Sequence, residues 1–114
     1  MNKKIIIPIL NNEYLAIVCW GDTKFIKQVL KKYGHKYDDE DFNWDKYGGR
    51  FFGLEGKDGV IVLPKKPKTP EDIGNLAHEA THAVVDIFEF IGEEKYDEVF
   101  AYSVGAIVRE ALEG

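Results

Sequence analysis

The chain moves between two hydrophobic rhythms, and each change of rhythm marks an element. Lys4–Leu10 and Tyr14–Trp20 are runs rich in β-branched residues. With Asn11-Asn12-Glu13 between them they predict a β-hairpin, because asparagine tolerates positive φ. Gly21 and Asp22 stop the second strand and cap a helix of about twelve residues. Its apolar positions Phe25, Ile26, Val29, Leu30 and Tyr33 recur at helical spacing before Gly34. Residues 35–48 have no such rhythm and are acidic and aromatic, which reads as a solvated loop pinned by its rings. Arg50–Leu54 and Gly59–Pro64 predict a second hairpin around Glu55-Gly56-Lys57-Asp58-Gly59. The Pro64–Pro70 stretch cannot continue a sheet. A helix then opens with Thr69 as N-cap, Pro70 in its first position and Asp72 as capping-box partner. It runs to about Ile91, where Gly92 ends it. A last helix over Glu94–Leu112 buries Val99, Phe100, Val104, Ile107, Val108 and Leu112.

These elements imply an α+β fold, a small twisted sheet of about four strands packed on three helices. The 114 residues suit one domain, 1–114. An apolar content of 45 % with thirteen Phe and Tyr and two Trp excludes a disordered or fibrous chain. The formal net charge of −5 is opposite to the footprint of a nucleic-acid binder. Basic residues cluster at Lys24, Lys27, Lys31 and Lys32 and at Lys65, Lys66 and Lys68, and read as a solvated helix face and a polar loop. The single cysteine, Cys19, forms no internal disulfide and suits a reducing compartment. The short run after Met1–Lys4 is broken by Pro8 and does not read as a secretory leader, and no run approaches the ~20 residues of a membrane span. The expectation is a cytoplasmic protein without nucleic-acid or membrane partners.

The chemistry sits in the capped helix, at His78-Glu79-Ala80-Thr81-His82. Side chains four apart share one helical face, with Cβ atoms about 5–6 Å from each other, so both imidazoles can hold one ion. Glu79 is rotated about 100° from His78 and reaches the open side of that ion. There it can take a proton from a zinc-bound water, which is how zinc makes a nucleophile near neutral pH. A third ligand is needed. An elongated motif with a further histidine is excluded because Phe88 stands at its position. Asp86 shares the histidines' face but lies about 12 Å along the axis from His78, so it fits a supporting hydrogen bond or an ion pair. Glu98 is the strongest candidate ligand. A tight turn at Gly92 would bring it back to within about a turn of His82, and a carboxylate beside apolar neighbours gains from a cation; an ordinary surface glutamate is the alternative. His35, the remaining histidine, lies in the acidic loop and is not expected to act.

His-Glu-x-x-His followed by a glutamate on the next helix resembles the gluzincins, the thermolysin-like zinc metallopeptidases. The stretch from His78 to Asp86 is similar to their motif helix. Glu98-Val99-Phe100-Ala101-Tyr102 is similar to the Glu-x-x-Ala-Tyr helix of minimal gluzincins and of small metallopeptidases encoded by phages and prophages. The resemblance covers residues 50–112 well and the first third in outline. It implies a zincin-like fold, one Zn2+ held by His78, His82 and Glu98, and Glu79 as general base and acid. It also implies that Gly59–Leu63 is an edge strand pairing with an extended peptide or protein substrate. Tyr102 stands where the larger enzymes carry aspartate; it either orients a ligand, donates to an oxyanion, or is a plain core tyrosine. The implied activity is zinc-dependent peptide-bond hydrolysis. The alternative is a zinc-stabilised protein-binding module without significant turnover.

Overall fold

A computed structural model of the chain describes residues 1–54, 58–92 and 98–114. In order they form strands β1 (Lys3–Ile9) and β2 (Tyr14–Trp20), helix α1 (Thr23–Lys32), a 3-10 turn at Asp39–Phe42, strands β3 (Arg50–Phe52) and β4 (Gly59–Val62), and helices α2 (Pro70–Ile91) and α3 (Glu98–Glu113). This is the expected α+β architecture of four strands and three helices. The β1–β2 hairpin closes through Leu10, Asn11 and Asn12, all at positive φ (53°, 56° and 70°). The two asparagines adopt that region readily; Leu10 does so at a cost and is held by packing against the core. The β3–β4 pair is antiparallel as expected, while its turn at 55–57 lies outside the described residues.

The order β1-β2-β4-β3 places β2 and β4 in the middle, paired parallel to each other. The sequence reading of Gly59–Leu63 as an edge strand is therefore corrected. Strand β4 is flanked on both sides, and the sheet's outer strands are β1 and β3. The correction has a physical cause. A parallel pair needs a crossover, and the segment carrying α1, the acidic loop and β3 supplies it between β2 and β4. The central strands are buried on both faces and divide two cores. Val18, Trp20, Ile61 and Leu63 face α2 and α3. Ile17, Cys19, Val60 and Val62 face α1, with Phe42 and Trp44 of the loop packed beside them. Burial pushes the Cys19 thiol up to about 12, so it stays protonated.

Helix α2 begins as expected. Thr69 Oγ1 accepts from Asp72 N at 3.1 Å, and Asp72 Oδ2 accepts from Thr69 N at 3.1 Å. Gly92 closes the helix in the left-handed conformation at φ 74°. Helix α3 packs antiparallel against α2. The Phe88 and Phe100 rings meet edge-on at 5.2 Å, and the far end of α3 reaches β1, where Gly114 abuts Ile5. Ser103, Ile107 and Ala111 form its buried stripe. Val99, expected inside, is 47 % exposed, because the face chosen by Phe100 turns it outward. Among the described residues no helix is long and apolar enough to cross a membrane. Thr69→Ala removes the cap and is expected to lower stability by about 1 kcal/mol, read as a shifted midpoint in urea denaturation with an unchanged slope.

Candidate metal centre

Helix α2 lays Leu76, Ala80, Ala83, Val84 and Phe88 against the sheet and leaves His78 and His82 exposed on its flank. Between the two faces lies Glu79, buried although it carries a carboxylate. The helical spacing does what it promised. The His78 and His82 rings meet at 4.7 Å between centroids, and their Nε2 atoms are 3.2 Å apart. In the metal-free protein one imidazole can donate to the other. With both Nε2 atoms deprotonated, two lone pairs converge instead. Two nitrogens bound at about 2.0–2.1 Å to one tetrahedral zinc stand about 3.3 Å from each other, so the pair is already spaced for one ion. Glu79 adds a carboxylate, and the ligand atoms of His78, Glu79 and His82 all lie within 4.8 Å of one another. Neutral imidazole with carboxylate is a donor set that suits zinc.

What buries Glu79 is backbone. Gly49 runs so close to α2 that a Cβ there would stand 3.2 Å from Glu79 Cγ and 3.2 Å from Leu63 Cδ2. At Gly48 a Cβ would collide with the Asn75 side chain. The chain after these glycines is held by Arg50, whose guanidinium pairs with Asp41 at 2.7 Å and lies 4.2 Å from the centre of the Tyr47 ring. Burial pushes the Glu79 carboxyl above the usual carboxylate range; the charges of His78, His82 and Arg50 pull partly the other way. Sequence reasoning missed Gly48, Gly49 and Arg50. The signal was two adjacent glycines just before a strand, which marks a close backbone approach.

The other sequence candidates lie elsewhere. Glu98 stands exposed at the first position of α3, outside the cluster of His78, Glu79 and His82. The Phe88–Phe100 ring contact joins the end of α2 to the first turn of α3. Asp86 is half-buried beside the chain leaving β3, with its Cγ 3.1 Å from where a Cβ on Gly53 would be. Tyr102 is 74 % exposed, which excludes the plain core tyrosine. His35 is buried, and its Nε2 bonds the Asp58 carbonyl, tying the loop to the start of β4.

Comparison with known proteins returns no match among protein-family models, curated proteins or solved structures. The site therefore has to be read from its own chemistry.

In metal-free protein the raised Glu79 carboxyl binds its proton more tightly folded than unfolded. Its contribution is full below the unfolded value and is lost as pH rises through the folded one. Thermal melts in chelator are expected to show Glu79→Gln gaining stability over the parent at neutral pH, with the difference fading in acid. A gain that is constant across pH would show that the carboxylate's charge is not responsible.

Proposed function

We propose that the protein is a zinc-dependent peptidase in which His78 and His82 hold the ion and Glu79 handles the proton. The observation that carries this reading is the convergence of the two Nε2 atoms, 3.2 Å apart, beside a buried carboxylate. Two exposed histidines at a chance spacing have no reason to share their flank with a glutamate that the backbone shields. When bound, zinc would supply Lewis acidity, making a water acidic and polarising a substrate carbonyl. Glu79 would take the proton of the attacking water on a carboxylate oxygen and return it to the departing amine. Its buried setting, which raises its proton affinity, favours that double role. The resemblance to gluzincins offers Glu98, exposed at the start of α3, as the third ligand. Tyr102 and Asp86 would support the site through ligands or substrate.

The substrate would lie along β3. Its outer edge is free of strand partners among the described residues, and an extended peptide can pair there through main-chain hydrogen bonds. The opposite outer strand is the poorer template, since Pro8 in β1 offers no donor. The lone, protonated Cys19 is compatible with a cytoplasmic setting. The same open edge also favours the second reading, a zinc-stabilised module that binds a protein segment without turning it over.

Three variants separate the roles. His78→Ala is expected to lose stoichiometric zinc by elemental analysis. Glu79→Gln should keep the metal while its cleavage of a mixed peptide pool falls at least a hundredfold; cleavage at the parent's rate would remove Glu79 as the base. Metal-loaded parent that cleaves nothing in the pool selects the binding module. Glu98→Ala should weaken zinc retention if α3 supplies the third ligand, and unchanged retention against a chelator series assigns that position to another group.

A further inference from the structure

Beside the outer edge of β3 lies a cavity of about 450 Å3 that the proposed chemistry does not use. Arg50 to Leu54 form one wall, and His35, Lys36 and Asp41 form the other. Its charges do not cancel. The Asp41 carboxylate is taken by Arg50 at 2.7 Å, and His35 Nε2 is engaged with the Asp58 carbonyl. That leaves Lys36, exposed and in none of the ion pairs among the described residues. Counted over the residues that line it, the cavity thus holds one uncompensated positive charge, in a chain whose formal net charge is −5.

Strand geometry says which part of a peptide would meet it. Successive side chains of an extended strand point to opposite faces of the sheet. On β3 itself Phe51 packs with the core on the α2 side and Phe52 with the core on the α1 side. Arg50 shares the face of Phe52 by the same alternation, and its pairing with Asp41 draws the loop wall of the cavity to the α1 side. A peptide paired with β3 would therefore turn one residue toward α2 and the histidine pair, and the next toward Lys36. The volume is ample for a carboxylate side chain with its waters.

We infer that this cavity is a specificity pocket that takes an acidic side chain of the bound peptide, with Lys36 as the residue that reads it. The inference rests on the reading of β3 as the substrate edge and deepens it by naming a substrate class, peptides with Asp or Glu next to the residue presented to α2. Lys36 provides a mobile ammonium at the pocket's rim. The Asp41–Arg50 pair holds the wall and contributes little net charge.

The test uses the full-length chain in chelator at low salt, so that binding is read without cleavage. Short, terminally blocked alanine–valine peptides differing only in one central residue, Glu, Gln or Lys, are titrated by NMR. The Glu peptide is expected to bind about threefold more tightly than the Lys peptide, the scale of one exposed ion pair, with the largest shifts at Lys36, Gly53 and Leu54. Lys36→Glu should reverse the order. Lys24→Glu, which changes net charge equally on a helix outside the cavity, should preserve it. Equal binding of the three peptides, no binding of any, or equal effects of the two charge reversals overturns the pocket. If the preference and its reversal hold but zinc-loaded parent cleaves none of the three, the peptidase reading falls and the pocket stands. If cleavage occurs with no preference among them, the pocket falls alone.

Discussion

The site depends on how closely the chain before β3 can approach α2. Gly48 and Gly49 have no side chains to keep the backbone away, so it comes down onto Asn75 and Glu79. That approach converts Glu79 from a solvated helix acid into a buried one. The same helix must put its apolar side against the sheet and leave its flank to solvent. Glu79 sits where those two demands meet, one residue from an exposed histidine. Any side chain added at Gly49 would press on Glu79 and Leu63 together and so couple the site to the core.

The clamp that holds this segment is electrostatic and aromatic. Arg50 is shared between Asp41, from the loop after α1, and the face of Tyr47. It therefore links the acidic loop on one side of the sheet with the strand that shields Glu79 on the other. A loop with many acids and rings but no periodic burial looks dispensable in isolation. Here Phe42 and Trp44 close the α1-side core while Asp41 steadies β3. The consequence is a clamped wall beside a strand that has no outer strand partner among the described residues.

Much of this was legible because it is local. The hairpin asparagines, the Thr69–Asp72 capping box, Gly92 at the end of α2 and the histidine pair all follow from interactions within a few residues, where spacing alone determines geometry. Features that depend on partners distant in sequence were not legible. The edge role passed from β4 to β3 because parallel pairing of β2 with β4 is decided by the whole crossover. Val99 turned outward because Phe100 chose the contact with Phe88.

The sequence by itself therefore determined a helix that presents two imidazoles to one point, since a pitch of about 3.6 residues leaves no other outcome for positions four apart. It also determined the α+β class, through two hydrophobic periods that cannot exchange roles. Only the tertiary structure decided that Glu79 is buried, that β3 instead of β4 is an outer strand, and that Lys36 lines the cavity beside it. Those facts arise from backbone approach, strand order and helix register, which depend on contacts between residues far apart in the chain and leave no periodic trace in it.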